Sequence, residues 1–240
     1  MRYFITFSYN GSKFNGFQRL KNEVTVQQTL EKALSKINKK AVTIKGAGRT
    51  DIGVHAICQA AHFDLDIPIP VEGLKKVLNQ MSGPYITIKS CTNVSDDFHA
   101  RFSVIQKTYC YRIFLGEKDP FLEDYYFIIS ETLNVKMMKK ASKLFLGIHD
   151  FKNFVSGNRD DYTGIIYQIK FKKLHNILEI RFTGKSFYRY MVRNLVWALL
   201  DIGLQKREIS DIEQALKYPN KSIVFSTAKS SGLYLEEIKY

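Results

Sequence analysis

The stretch GAGRTDIGVHA, Gly46 to Ala56, places one carboxylate, Asp51, and one guanidinium, Arg49, in a loop with glycines at 46, 48 and 53. Glycine lets a backbone approach another group closely. Arg49 and Asp51, two residues apart, point the same way if the segment is extended. A dinucleotide fingerprint is excluded, because Asp51 occupies the place of its third glycine and a carboxylate there repels a pyrophosphate. An aspartic protease needs two aspartates sharing a proton, and the chain offers no second copy of the motif. Two readings remain. Asp51 is either a turn residue bonding its own backbone or the reactive group of an active-site loop.

A second charged candidate is Arg193. On a helical projection it aligns with Trp197 and Leu200, while Met191, Leu195, Ala198, Leu199 and Ile202 occupy the other side. A helix so apolar should be buried, and a buried guanidinium needs an anion; the alternative is an arginine that snorkels to solvent. Aromatic and basic residues interleave in KTYCYRIF, with Lys107, Tyr109, Tyr111 and Arg112, and again in FYRYMVR. Such patches suit unstacked bases and phosphates, although strand tyrosines also serve as core or cross-strand pairs. In FHARFS, His99 and Arg101 either flank a phosphate or form a polar strand edge. The five histidines have no metal-ligand spacing, so no metal site is expected.

These residues need elements to position them. RYFITFSYN alternates as a strand does, and TVQQTLEKALSKIN carries Val26, Leu30, Ala33, Leu34 and Ile37 on one helical face. AVTIKG and CQAAHFDLD read as strands, VEGLKKVLNQM as a helix and YITIKSCTNV as a strand. The order recurs: KTYCYRIFLG as a strand, VKMMKKASKLFLG as a helix, a hairpin turning at Leu174 to Asn176, FYRYMVRNLVWALLDIGL as a helix, and GLYLEEIKY as a last strand. A further helix is expected over 208–219. The fold class is α+β, with two tandem ferredoxin-like (split β-α-β) halves, 1–104 and 105–240.

The 240 residues, 45% hydrophobic, suffice for one large domain or two small ones. Lys and Arg exceed Asp and Glu by 36 − 23 = 13, which favours a polyanionic partner such as nucleic acid unless it is surface decoration. Cys58, Cys91 and Cys110 are odd in number and scattered, as expected of thiols in a reducing cytoplasm. The N-terminus does not read as a secretory signal, and no apolar run approaches the roughly 20 residues that span a bilayer.

The motifs converge on one family. AGRTDIGVHA closely resembles the signature loop of the tRNA pseudouridine synthase A family. YNGSKFNGFQ, TVQQTLEKAL, FHARFS, the Tyr109 strand, LFLGIHDFKNF, FYRYMVRNLV and GLYLEEIKY resemble further family segments in the same order, from about Tyr3 to Tyr240. The chain departs from the family pattern at Phe17 (usually Trp), Ile52 (usually Ala) and Lys107 (usually Arg), and STAKSSGL lacks two usual prolines. The resemblance implies isomerisation of uridine to pseudouridine in the anticodon stem-loop of tRNA, at positions thirty-eight to forty, by a homodimer without metal or cofactor. It implies two halves sharing a mostly antiparallel sheet, with the active-site cleft between them. It assigns catalysis to Asp51, the nucleophile, with Tyr109 stacking on the uracil and Arg193 paired to Asp51. Arg49, His55, His99, Arg101 and Lys107 are expected to contact RNA. A catalytically silent tRNA chaperone of the same fold is the alternative.

Overall fold

Arg2–Tyr9 (β1) alternates half-exposed and buried side chains, with Tyr3, Ile5, Phe7 and Tyr9 turned inward. The computed structural model describes residues 1–240. The chain divides into two units, Met1–Ile105 with Tyr234–Tyr240, and Gln106–Leu233.

In the first unit, Thr25 caps α1 (Val26–Asn38) by accepting the Gln28 N–H, and α1 buries Val26, Leu30, Ala33 and Leu34 along one face. β3 (His55–Asp64), α2 (Val71–Met81) and β4 (Ile86–Asn93) follow. β1 lies between β3 and β4, antiparallel to both, the order a split β-α-β unit requires. The strand expected over 41–46 shrinks to β2 (Lys45–Gly46), paired with β3. Val42 and Ile44 are buried, yet their N–H groups donate to Ser35 Oγ (2.9 Å) and Glu31 Oε1 (3.1 Å). Side chains of α1 thus satisfy a backbone that no strand pairs. The chain's last strand, β10 (Leu233–Lys239), runs parallel to β3 with Tyr234 opposite His55. Its residues from Tyr234 onward therefore belong with the first unit, whereas sequence order alone groups them with the second half.

The second unit is also α+β. Its strands are β5 (Gln106–Leu115), β6 (Phe127–Ile129), β7 (Gly147–Asp150), β8 (Thr163–Leu174) and β9 (Ile177–Gly184). β9 lies between β5 and β8, antiparallel to both, and β7 is antiparallel to β8. β6 is parallel to β5. β6 and β7 are too short for alternation to reveal them. α3 (Val135–Ser142) ends earlier than its pattern suggests, passing into a 3-10 turn over Lys143–Phe145. α4 spans Met191–Gly203, and α5 (Ile209–Lys217) opens on a capping box between Glu208 and Asp211. The helix expected from Phe187 begins only at Met191, because Tyr190 takes φ +62°, a left-handed value that a helix cannot propagate through. No helix is long and apolar enough to cross a membrane, and no disulfide joins the three cysteines.

Candidate active site

The Asp51 loop, residues 47–54, joins β2 to β3 and is held almost residue by residue. Ala47 N–H donates to the Ala60 carbonyl at 2.8 Å. The Gly48 carbonyl accepts from Gln59 Nε2 at 3.1 Å. Thr50, buried, accepts Phe17 N–H on its carbonyl at 3.1 Å and shares a 2.7 Å hydrogen bond with the Tyr9 hydroxyl. Burial, the largest cause, pushes the Tyr9 phenol up to about 12, so Tyr9 acts there as a neutral hydrogen-bonding strut. Asp51 itself accepts Val54 N–H on its carbonyl at 3.2 Å, closing a turn whose third residue, Gly53, takes φ +77°. The Asp51 side chain is half-buried, flanked by exposed Arg49 and Ile52.

Two glycines of the N-terminal segment YNGSKFNGFQ pack directly beneath this turn. A Cβ on Gly11 would lie 2.1 Å from the Val54 carbonyl oxygen. Gly16, at φ +83°, would bring one to 3.1 Å from the Thr50 carbonyl oxygen and 3.5 Å from the Asp51 carbonyl carbon. Tyr9, Gly11, Gly16 and Gln59 are the positioning residues that motif reading leaves unassigned; the close placing of glycines in YNGSKFNG is the only sequence signal they give.

His55, expected to contact RNA, is 2% exposed. Its Nδ1 accepts Gly11 N–H at 3.1 Å and its ring stacks on Tyr234 at 4.6 Å, an arrangement that pins the loop's exit. His99 uses Nδ1 to accept the Arg101 and Phe102 N–H groups and stacks on Phe102 at 4.3 Å. It shapes a turn that leaves Arg101 exposed over Phe102, itself 76% exposed. The first unit thus brings the Asp51 loop and His55 together.

In the second unit β5 carries Lys107, Tyr109 and Tyr111 on one face, opposite Gly184, Phe182 and Ile180 of β9. Lys107 is half-exposed. Tyr109 is 8% exposed and meets the Phe187 ring edge-on at 5.3 Å. Phe187 in turn leans on Gly184, where any Cβ would come within 3.1 Å of its ring. Six residues on, Arg193 is half-buried on α4. Its Nε donates to the Ala228 carbonyl, and the Ala228 N–H donates back to the Arg193 carbonyl at 3.3 Å. Its guanidinium carbon lies 5.0 Å from the Tyr190 ring centroid. The segment 187–193 therefore ties Tyr109 to Arg193.

The stretch STAKSS, lacking the family's prolines, is fixed by hydrogen bonds instead. Thr227 donates to Asn194, Tyr111 donates to the Lys229 carbonyl, and Ser231 donates to the Tyr126 carbonyl. No cluster of His, Cys, Asp and Glu in the chain could hold a metal ion.

A carboxylate on a turn fixed by backbone hydrogen bonds is a group suited to nucleophilic attack on an electrophilic carbon. Residues 5–103 and 141–240 match the protein family described as tRNA pseudouridine synthase. The tRNA pseudouridine synthase A of Limosilactobacillus reuteri (strain DSM 20016) is 40% identical over 247 residues, covering 100% of this chain and 96% of its own. That of Staphylococcus aureus (strain MRSA252) is 36% identical over 241 residues, covering 99% of this chain and 91% of its own. Among solved structures, a chain of a Cbf5-Nop10-Gar1 complex aligns with a TM-score of 0.37 and 13% identity, over 81% of this chain and 46% of that one, which is too distant to bear on the fold.

Proposed function

The chain belongs to the tRNA pseudouridine synthase A family and has its isomerase activity, and from that premise we propose that it acts on uridines of the anticodon stem-loop with Asp51 as nucleophile. The observation that carries this reading is the loop itself. Its backbone is anchored at Ala47, Gly48, Thr50 and Asp51, and it presents a single carboxylate. The reaction breaks the N1–C1′ bond, turns the uracil and joins C5 to C1′; C5 loses a proton and N1 gains one. Asp51 attacks either the ribose C1′ or the uracil C6. Arg49, exposed beside it, fills the space of the flipped base or holds its phosphate, since flipping costs a few kcal/mol. In this reading Tyr109 stacks on the uracil and its hydroxyl takes a proton late in the reaction. Arg193 pairs with Asp51 and keeps it ionised, the nucleophilic form. Asp51, Tyr109 and Arg193 act in this reading on one and the same uridine. Arg101 and Lys107 bind phosphates. A homodimer belongs to the same reading and is checked by light scattering.

The experiment is tritium release from tRNA carrying C5-labelled uridine, followed by mapping of pseudouridine. Release at the anticodon stem supports the assignment. Tight tRNA binding without release would favour the silent chaperone.

A further inference from the structure

Tyr190 has a backbone conformation that its side chain disfavours. It takes φ +62° and ψ −3° immediately before α4. Left-handed values are common for glycine and tolerated by asparagine, but they are outliers for bulky side chains. The chain's other non-glycine residues with positive φ include Lys39 at the end of α1, Gln205 just after α4 and His175 in the β8–β9 hairpin, where chain reversal explains them. Tyr190 also lies in a turn, the third residue of the one closed by Met191 N–H on the Tyr188 carbonyl, but that position favours glycine or asparagine over a bulky ring, and its side chain provides no hydrogen-bonded cap for the helix. Strain of this kind persists where a surrounding structure enforces it, and it gathers at functional sites.

The conformation places the Tyr190 ring against two guanidinium groups. Arg189 lies 4.8 Å from the ring centroid and donates from Nη2 to the Tyr190 hydroxyl at 3.2 Å. Arg193 lies 5.0 Å from the same centroid. The backbone around the ring is closed by Met191 N–H to the Tyr188 carbonyl at 3.1 Å and Asn194 N–H to the Tyr190 carbonyl at 2.9 Å. Arg193 is thereby held in two ways, by the Ala228 carbonyl at Nε and by an aromatic ring under its guanidinium. A hydrogen bond sets the direction of one N–H. A ring contact sets the guanidinium face. Together they aim the fork.

We propose that Tyr190 is a positioning residue for the reaction: its strained backbone holds a ring that aims the Arg193 guanidinium. The inference rests on the reading of Arg193 as the partner of Asp51, and its test separates the two. Tyr190→Gly and Tyr190→Asn relieve the strain and remove the ring, Tyr190→Phe keeps the ring, and Arg193→Lys tests the underlying reading. Kinetics are followed by tritium release and folding by thermal denaturation. Gly and Asn variants should keep Tm within about 3 °C, since both tolerate a left-handed backbone. Their kcat should fall about tenfold, the scale of a slightly misplaced catalytic group, with KM for tRNA nearly unchanged. Tyr190→Phe should keep kcat within about twofold, because a phenyl face still attracts the cation.

A normal kcat in both the Gly and Asn variants overturns the proposal. So does a raised KM with normal kcat, which would make Tyr190 an RNA contact, or a Phe variant as slow as Gly. Failure of both Gly and Asn variants to fold would make the ring a packing element and overturns it equally. An active Arg193→Lys variant would instead remove the role assigned to Arg193.

Discussion

Tyr109 carries two separable assignments, a ring that stacks and a hydroxyl that moves a proton. Tyr109→Phe keeps the ring contact with Phe187, so it should bind tRNA normally and stall in tritium release. Tyr109→Ala should impair both, since stacking on a base is worth roughly 1–3 kcal/mol. A fully active Phe variant would leave Tyr109 with stacking alone. His62 gives a residue-scale prediction about stability. It is 4% exposed and accepts the Ala100 N–H on Nδ1 at 3.1 Å. Burial, followed by the charges of His99 and Arg2, lowers its pKa from 6.5 to about 4. The unfolded chain takes up a proton near pH 6.5 that the folded chain refuses until about pH 4, so this contribution to stability is complete above that window and lost as pH falls through it. Thermal denaturation at about pH 7 and about pH 5 should give the lower Tm at pH 5. His62→Asn, which keeps an acceptor for Ala100 and cannot titrate, should lose part of that difference; an unchanged difference would assign the acid sensitivity to other groups.

The elements that hold the site owe their shape to close backbone approach as much as to periodicity. Gly11→Ala would drive a methyl into the Val54 carbonyl, and Gly16→Ala would force both a left-handed alanine and a tight contact with Thr50. Each should cost about 1–3 kcal/mol and slow tritium release by displacing the Asp51 turn. Gly73→Ala in α2 meets nothing within 4 Å and should raise stability by about 1 kcal/mol with activity intact. Thermal denaturation and tritium release on the three variants check this, and an active, stable Gly11→Ala would show that the loop is not supported from below. The contrast explains what was legible in the sequence. The long strands and amphipathic helices were readable because β1, α1 and β9 bury regular faces. The Asp51 motif was readable because its residue types are unusual together. The supports were not: Gly11 under Val54, or Gln59 reaching Gly48, are tertiary contacts with no period. His55 reads as a polar group for RNA until its ring is seen buried against Tyr234. The late start of α4 depends on one dihedral angle, and the pairing of β10 with β3 on topology.

At the scale of the whole molecule, the charge of +13 is the footprint expected of a chain that binds tRNA. Each phosphate neutralised releases counterions, so log affinity should fall with log salt by about 0.7–0.9 per contact. Binding measured across a salt series checks this; a flat plot would make the basic excess surface decoration. The proposed reaction turns on one step, attack of the Asp51 carboxylate on the uridine, with Tyr109 and Arg193 assisting it. Asp51→Asn tests it most directly, because the amide preserves shape and abolishes nucleophilicity. Gel-shift affinity for tRNA and tritium release from C5-labelled uridine are measured on the same preparation. The predicted result is affinity close to that of the unaltered protein with no detectable release. Release within about tenfold of the unaltered protein would contradict it, since loss of an essential nucleophile typically costs several orders of magnitude.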